Sequence, residues 1–291
     1  MLRIVSFTLL LLLFGCAAPP SRQALQDDVV SNNGTAIAAQ LEQNYRDTRA
    51  VCPESNARAF QCNGVLLRAT TRGVGYHVWN PSPASVKSHG VSFSYLRQDA
   101  KFGRLAFGGN NGLIFYPASK APVHSHFTWD ICAFPMDGWT WKRGSPSGCG
   151  ASVEFPGTNS YCKDLGISTA EQWVTLWKGR YAEDANLRQC AFVSSQPGNF
   201  EQFTRAKALL GDAGFKEQNE VILSVWPQYS PEQIPLMAFF YMAGGVAEAQ
   251  ANQRDYFEAS RGKIVPVIRL TLPATLANDA RFEFIPSDQV K

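Results

Sequence analysis

The stretch Gly90-Val-Ser-Phe-Ser-Tyr-Leu-Arg97 predicts a β-strand. Ser92 and Ser94 alternate with large apolar residues, which is the two-residue period of an extended chain with one polar and one apolar face. Two similar short runs, 64–71 and 112–116, are bounded by Gly, Pro and Asn. The body of the chain from residue 63 to about residue 134 is therefore expected to be rich in strands.

Helical patterns begin before this body and return after it. Ile37, Leu41 and Tyr45 are four apart within a predicted helix 36–45. Ser168-Thr-Ala-Glu171 has the form of a capping box. The remaining predictions are a helix 200–210 capped by Asn199, a strand 220–226, a helical stretch 231–257 and a strand 263–272 that Pro266 places at an edge or a bulge. The fold class is α+β, with a strand-rich core and helices in the middle and the C-terminal half.

The N-terminus resembles a bacterial signal peptide. Arg3 precedes an apolar run that ends at small residues around Cys16, and the run is shorter than the roughly 18 to 20 residues of a transmembrane helix. Residues 1–16 end like a lipobox, which makes Cys16 a candidate for lipidation; cleavage after Ala17 is the alternative. We expect a flexible tether over 17–35 and a single globular domain over 36–291, in an outer-membrane lipoprotein or a secreted protein.

The cysteines are expected to form disulfides. Seven are present, and setting Cys16 aside leaves six, which matches three bridges in an oxidising compartment. Loop closure favours short spans, although sequence alone does not choose among the pairings. The favoured pairs are Cys52–Cys62, Cys132–Cys149 and Cys162–Cys190.

Several classes of function are disfavoured. The net charge is only +3 and no run of Lys or Arg stands out, so we expect no nucleic-acid partner. There is no G-x-S-x-G, no phosphate loop and no H-E-x-x-H. His124-Ser-His126 near Asp130 offers too few ligands for a metal site, and we expect neither a metal nor a cofactor.

Three predicted strands carry polar or charged residues that form one candidate set. Arg68 lies on the first strand, Ser92 and Ser94 share one face of the second, and Gln218 and Glu220 are two apart at the start of the third. An arginine binds pyrophosphate through its planar fork of donors. A fixed carboxylate stabilises a positively charged, oxocarbenium-like transition state.

This arrangement resembles the arginine-serine-glutamate class of NAD-dependent ADP-ribosyltransferases. More broadly, four short stretches look like the halovibrin family: 62–68, 76–83, 90–97 and 253–257. This resemblance extends over most of the chain, from about residue 52 to residue 273. The resemblance implies an ADP-ribosyltransferase-like fold and an exported enzyme that uses NAD as its substrate. It implies that Glu220 and Gln218 are catalytic and that Arg68, Ser92 and Ser94 bind NAD.

The acceptor of ADP-ribose is left open between water and a host protein. Gln218 stands where transferases that modify arginine carry a second Glu, which favours hydrolysis or another acceptor. Ser194-Ser195 is a rival for the serine motif, and Tyr95 or Trp79 is a candidate to stack on nicotinamide. Contact with a membrane is expected only through a lipid on Cys16.

Simpler interpretations stay open beside these. Arg68, next to a disulfide, is also interpretable as a member of a structural ion pair. The strand serines are interpretable as residues that face solvent, and Glu220 as the exposed first residue of a buried strand. The alternative function is a non-catalytic surface-binding module for a glycan or a protein. Its motivation is the chain's aromatic residues, including Trp79, Trp129, Trp139 and Trp141.

Overall fold

The chain is an α+β protein with six helices and nine strands in the part that the structure describes. The computed structural model describes residues 29–52, 59–70, 76–117, 120, 130–138, 149, 161–181, 190–225 and 230–286. The helices are α1 (Val29–Arg46), α2 (Pro83–Ser88), α3 (Ala170–Tyr181), α4 (Asn199–Leu209), α5 (Gly211–Phe215) and α6 (Val246–Ala259). The strands are β1 (Val65–Ala69), β2 (Gly90–Leu96), β3 (Asn111–Phe115), β4 (Asp130–Phe134), β5 (Phe192–Val193), β6 (Glu220–Ser224), β7 (Leu236–Tyr241), β8 (Val267–Thr271) and β9 (Arg281–Glu283).

The nine strands form one sheet in the order β5-β4-β6-β2-β1-β3-β7-β8-β9. Neighbouring strands are antiparallel except β7 and β8, which are parallel and are joined through α6. We call β1, β3, β7, β8 and β9 the long part of the sheet and β4, β5 and β6 the short part. β2 pairs with β1 on one side and with β6 on the other, so it joins the two parts.

The two faces of the sheet bury separate cores. One core contains Phe93, Leu113 and Val221 of the sheet together with Trp173 of α3 and Phe203 of α4. We call this side of the sheet the helical face, since α6 also packs against it through Ala249 and Tyr256. The opposite face carries a core under α1, to which Leu67 and Leu41 belong, and a smaller one around Phe134 and Ile222.

Three disulfides cross-link the described chain, and one of them includes Cys132 of β4. They are Cys52–Cys62, Cys132–Cys149 and Cys162–Cys190, the pairing that loop closure favours. Three bridges fit an extracellular or periplasmic protein, because thiols stay reduced in the cytoplasm. No helix among the described residues is long and apolar enough to cross a membrane.

The structure agrees with the predicted strands β1, β2, β3 and β6 but corrects three other elements. The run 236–241, predicted to be helical, is the strand β7, with all six residues buried between β3 and β8. A strand buried on both faces is apolar throughout, so its period does not separate it from a helix. Pro266 precedes β8, which has a neighbour on each side and is therefore not an edge strand.

The third correction concerns the start of α3. The Gln172 side chain accepts hydrogen bonds from the backbone N–H groups of Ser168 and Thr169, at 2.9 and 3.2 Å. The Thr169 hydroxyl accepts one from Gln172 N, at 3.3 Å. The capping box is thus Thr169 with Gln172, one residue later than predicted.

The N-terminal predictions fall largely on residues that are not described. Residues 1–28, with the signal peptide and Cys16, lie outside the described ranges. The helix α1 begins at Val29, inside the segment 17–35 that was predicted to be a tether. Its apolar side chains Ile37, Leu41 and Tyr45 are buried as the spacing predicts.

Candidate functional site

The three strands that carry the predicted site lie side by side. In the sheet order, β6 is next to β2 and β2 is next to β1. Glu220, the two serines and Arg68 are therefore on three consecutive strands, although Arg68 and Glu220 lie far apart in sequence. Two strand spacings separate the strand of Arg68 from that of Glu220, or about 10 Å.

The sheet splits along the first half of β2. The pairing between β1 and β2 runs from Val65–Leu96 to Leu67–Ser94 and ends there. The pairing between β2 and β6 begins at Phe93–Val221 and continues to Gly90–Ser224. Each half of β2 thus pairs with a different neighbour, and β1 and β2 separate beyond Leu67. We call the region where residues 68–69 of β1 and residues 90–93 of β2 are not paired with each other the split.

Arg68 lies at this split. Its Nη1 donates a hydrogen bond to the backbone carbonyl of Ser92, at 3.4 Å. That carbonyl belongs to the half of β2 that does not pair with β1. The guanidinium therefore replaces a backbone hydrogen bond between the two strands. Within the described ranges Arg68 forms no ion pair and no other hydrogen bond, so the structural ion pair considered above is not found there.

The electrostatic setting of Arg68 links it to Glu220. Burial lowers the pKa of Arg68 to about 10, while the nearby Tyr76 and Glu220 act in the opposite direction. The side chain therefore stays charged at neutral pH. A guanidinium has five N–H donors, and one long hydrogen bond leaves most of them available to an anion.

Glu220 is enclosed at the start of β6. It pairs with Phe134 of β4, and its side chain is only 2% exposed. Its Oε2 accepts a hydrogen bond from the backbone N–H of Gly138, at 2.8 Å. Glu220 is thus not the exposed strand start of the simpler interpretation, and the segment 136–138 holds its carboxylate.

Ser94 contacts Gln218 and is buried rather than facing solvent. Its hydroxyl donates to Gln218 Oε1, at 2.8 Å, and the same oxygen accepts the backbone N–H of Ala106, at 3.0 Å. Ser92 is partly buried and pairs with Ile222 of β6. The structure therefore brings Ser94 and Gln218 into direct contact.

Arg68 and Glu220 leave the sheet on opposite faces. Arg68 pairs with Leu113, whose side chain belongs to the core of the helical face. Glu220 pairs with Phe134, which belongs to a core of the other face. Since paired residues share a face, one ligand can reach both groups only through the split.

Two of the other predicted candidates are not positioned as expected. Trp79 and Tyr95 are both fully buried in the core of the helical face, so neither presents a free ring to nicotinamide. Tyr95 donates its hydroxyl to Asn63 Oδ1, at 2.8 Å. Ser194 follows the edge strand β5, and three strands, β4, β6 and β2, separate that strand from β1. The rival serine motif is therefore remote from Arg68.

Asn219 is a site residue that the sequence reasoning missed. Its fully buried side chain accepts from the backbone N–H of Tyr95 and donates to the backbone C=O of Tyr95, both at 2.8 Å. The Asn219 amide takes the place of a backbone group. It extends the contact between β6 and β2 to Tyr95, beyond the split. No signal in the sequence distinguishes this asparagine from one in a turn.

Lys207 is a second residue that was missed. It is buried on α4, and its Nζ donates to the backbone carbonyls of Gly214, at 2.5 Å, and Glu217. Burial lowers the pKa of Lys207 to about 7, while Glu217 and Asp137 act in the opposite direction. The sequence did hold a signal, because Phe203, Ala206 and Leu210 place this lysine on the apolar face of the helix.

No group of three or more His, Cys, Asp or Glu suited to a metal ion occurs among the described residues. The segment His124-Ser-His126 and the tryptophans Trp129, Trp139 and Trp141 lie outside those residues. The sequence matches no model of a protein family, and no curated protein matches it significantly. The resemblance to halovibrins therefore stays a prediction carried by the motifs.

Proposed function

We propose that this chain is an exported enzyme that cleaves NAD at the bond between nicotinamide and ribose. The observation that carries the proposal is the split, with Arg68 at its border and Glu220 on the second strand away. The strands of Arg68 and Glu220 are two strand spacings apart, about 10 Å, and one dinucleotide carries a pyrophosphate for the cation and a ribose for the carboxylate. The proposal includes an ADP-ribosyltransferase-like fold for the sheet.

Arg68 binds the pyrophosphate in this proposal. Its guanidinium has one long hydrogen bond and no ion pair within the described residues, so the donors and the charge are available. Partial burial strengthens the attraction to an anion, because the local dielectric constant is lower than in water. The planar fork matches two phosphate oxygens at once.

Glu220 stabilises the transition state. The bond between C1 of the ribose and the pyridinium nitrogen breaks, and the electron pair stays with nicotinamide, which leaves neutral. The positive charge that develops on the ribose faces the carboxylate, and water then adds to C1 and releases a proton. Because Glu220 is enclosed beside Gly138, the segment 136–138 has to move before the ribose reaches the carboxylate.

Gln218 and Ser94 favour water as the acceptor. Gln218 Oε1 is already occupied by the Ser94 hydroxyl and the Ala106 amide. A neutral amide held in this way does not deprotonate an incoming arginine side chain. The reaction is therefore hydrolysis to ADP-ribose and nicotinamide, or transfer to an acceptor that needs no second carboxylate, such as a host protein.

The second candidate function is a surface-binding module without catalysis. The observation in its favour is that Arg68 and Glu220 leave the sheet on opposite faces and that Glu220 is enclosed. A glycan or a protein would then be the partner. Trp79 does not serve this function, since its side chain is buried.

The test is the release of nicotinamide from NAD by the oxidised protein. Glu220→Gln keeps the size of the side chain and an acceptor for Gly138, and we expect it to lower kcat by about 10³-fold. Arg68→Lys keeps the charge but loses the fork, and we expect it to raise KM about tenfold with little change in kcat. The matched control is Glu283→Gln, which removes an exposed carboxylate at the far edge of the sheet.

Activity that persists in Glu220→Gln would exclude the assigned mechanism. Absence of activity in the parent protein, with all three disulfides formed, would favour the binding module.

A further inference from the structure

The segment 136–138, directly after β4, links the two faces of the sheet at the start of β6. At one end, the backbone N–H of Gly138 donates to Glu220 Oε2, at 2.8 Å. At the other end, Met136 is buried in the core of the helical face. Glu220 leaves the sheet on the opposite face, so a contact made by Met136 on the helical face bears on the enclosure of Glu220.

Lys207 makes such a contact. Its Nζ donates to Met136 Sδ, at 3.6 Å, and to the backbone carbonyls of Gly214, at 2.5 Å, and Glu217. Glu217 lies three residues before Glu220. The buried amine therefore touches both parts of the chain that meet at Glu220. We call the contact between Lys207 and Met136 the latch.

The latch depends on the proton count of the amine. A lysine ammonium has three N–H donors, which matches two carbonyl oxygens and one thioether sulfur. A neutral amine has only two donors. Because the thioether is the weak acceptor of the three, the neutral amine keeps the carbonyls and gives up Met136. Loss of one proton thus breaks the latch and spares the contacts within 207–217.

The charged groups around Lys207 are known on each packed element. Burial lowers the pKa of Lys207 to about 7, while the carboxylates of Glu217 and Asp137 act in the opposite direction. Arg104 pairs with Glu217, at 2.8 Å, and Asp130 lies at the opposite end of β4. Six further charged side chains on or beside α3, α4 and α5 are exposed and do not face the buried amine: Glu171, Lys178, Glu201, Arg205, Asp212 and Lys216.

We propose that Lys207 is a positioning residue that holds the segment 136–138 over Glu220 when protonated and releases this segment when it loses the proton. The contact favours the ammonium, so the latch is fully formed below pH 7 and is lost as the pH rises through that value. Release is the movement that the ribose needs to reach Glu220. This catalytic consequence rests on the proposed function, whereas the latch itself does not.

Hydrogen exchange at the Gly138 amide measures the latch without any substrate. NMR gives the protection factor of this amide, which is its intrinsic exchange rate divided by the observed rate. In the parent protein we expect the protection factor to fall about fivefold between pH 6 and pH 8, the effect of one weak hydrogen bond to a charged donor.

Two variants remove the latch in different ways. Lys207→Met removes the donor, and Met136→Leu removes the acceptor with little change in volume, so the test does not depend on the folding of Lys207→Met. We expect both to be about fivefold less protected than the parent at pH 6 and to stay constant up to pH 8. The matched control Lys216→Met removes an exposed lysine next to Glu217 and is expected to keep the parental fall.

The kinetics of nicotinamide release test the catalytic consequence. A weaker latch raises the fraction of protein that is competent to bind the ribose, so we expect Met136→Leu to lower KM for NAD about fivefold at pH 6 with kcat unchanged. A merely structural defect would lower kcat instead. An unchanged KM beside a lowered protection factor overturns the link between the latch and catalysis.

The outcomes keep the latch and the proposed function apart. A parental protection factor that does not change with pH, or a fall that persists in Met136→Leu, overturns the latch and leaves NAD cleavage untouched. The expected exchange pattern in a protein that releases no nicotinamide supports the latch and overturns the proposed function.

Discussion

The long and the short parts of the sheet are stabilised by different means. In the long part, strands of three to six residues pair with one register shift, between β3 and β7, and pack under α1 on one face and α6 on the other. In the short part, β5 has only two residues, and two of the three disulfides lie there. On the face opposite the helical face, the disulfide Cys132–Cys149 itself belongs to the core of the short part.

The two parts of the sheet meet at β2. The short part also packs against α3 and α4 through Phe192 and Val221, and we expect its two covalent bridges to add more to its stability than the single bridge adds elsewhere. β2 belongs to both parts and exchanges one neighbour for the other between Phe93 and Ser94. The candidate site lies where β2 changes neighbours. Arg68 is therefore carried by the long part of the sheet and Glu220 by the short part.

Removal of a disulfide gives the largest expected effect. Replacing Cys162 and Cys190 with Ala releases a loop with a sequence separation of 28, and we expect the free energy of unfolding to fall by about 3.5 kcal/mol. Replacing Cys52 and Cys62, with a separation of 10, is expected to cost about 2.5 kcal/mol. Urea unfolding of the oxidised proteins measures both. Equal or reversed costs would contradict the greater dependence of the short part on its bridges.

Asn219 tests the junction itself. In Asn219→Ala the backbone N–H and C=O of Tyr95 lose their partners in a fully buried place. Each unsatisfied group costs about 1–3 kcal/mol, so we expect a loss of about 3 kcal/mol in the free energy of unfolding. The control Asn278→Ala changes an exposed asparagine. A cost no larger than that of the control would show that this amide does not join the two parts.

Lys207 gives a smaller effect that depends on pH. Its pKa is lowered from 10.5 to about 7 in the folded protein. Between these values the unfolded chain binds more protons than the folded one, so stability rises with pH, by at most about 1.4 kcal/mol per unit. Lys207→Met removes this contribution, and we expect a flatter dependence between pH 7 and 9 in urea unfolding. An unchanged slope would show that another group causes the rise.

The sequence predicted much of the sheet but not all of it. The strands around Ser92 and Arg68 were readable because polar and apolar side chains alternate or turn residues bound the run. The strand 236–241 was misassigned, since a strand buried on both faces has no period to detect. The position of Pro266 was misjudged because the number of neighbours of β8 depends on pairing with distant residues.

The candidate site was predicted in its residue types more than in its geometry. Arg68, Ser92, Ser94, Gln218 and Glu220 were selected from three short motifs, and the structure carries all of them on or beside adjacent strands. The motifs did not reveal that Ser94 contacts Gln218 or that Glu220 is enclosed by Gly138. Asn219 was missed because its role depends on Tyr95, a residue remote in sequence.

The sequence by itself determined the local elements and the chemistry available to them. Alternation, caps and cysteine spacing act over a few residues, so they can be read without the fold. Only the tertiary structure decided the order of the strands, the split beside β2 and the face from which each polar side chain leaves. These features follow from pairing between distant segments, and a shift of one residue in register moves every side chain to the other face.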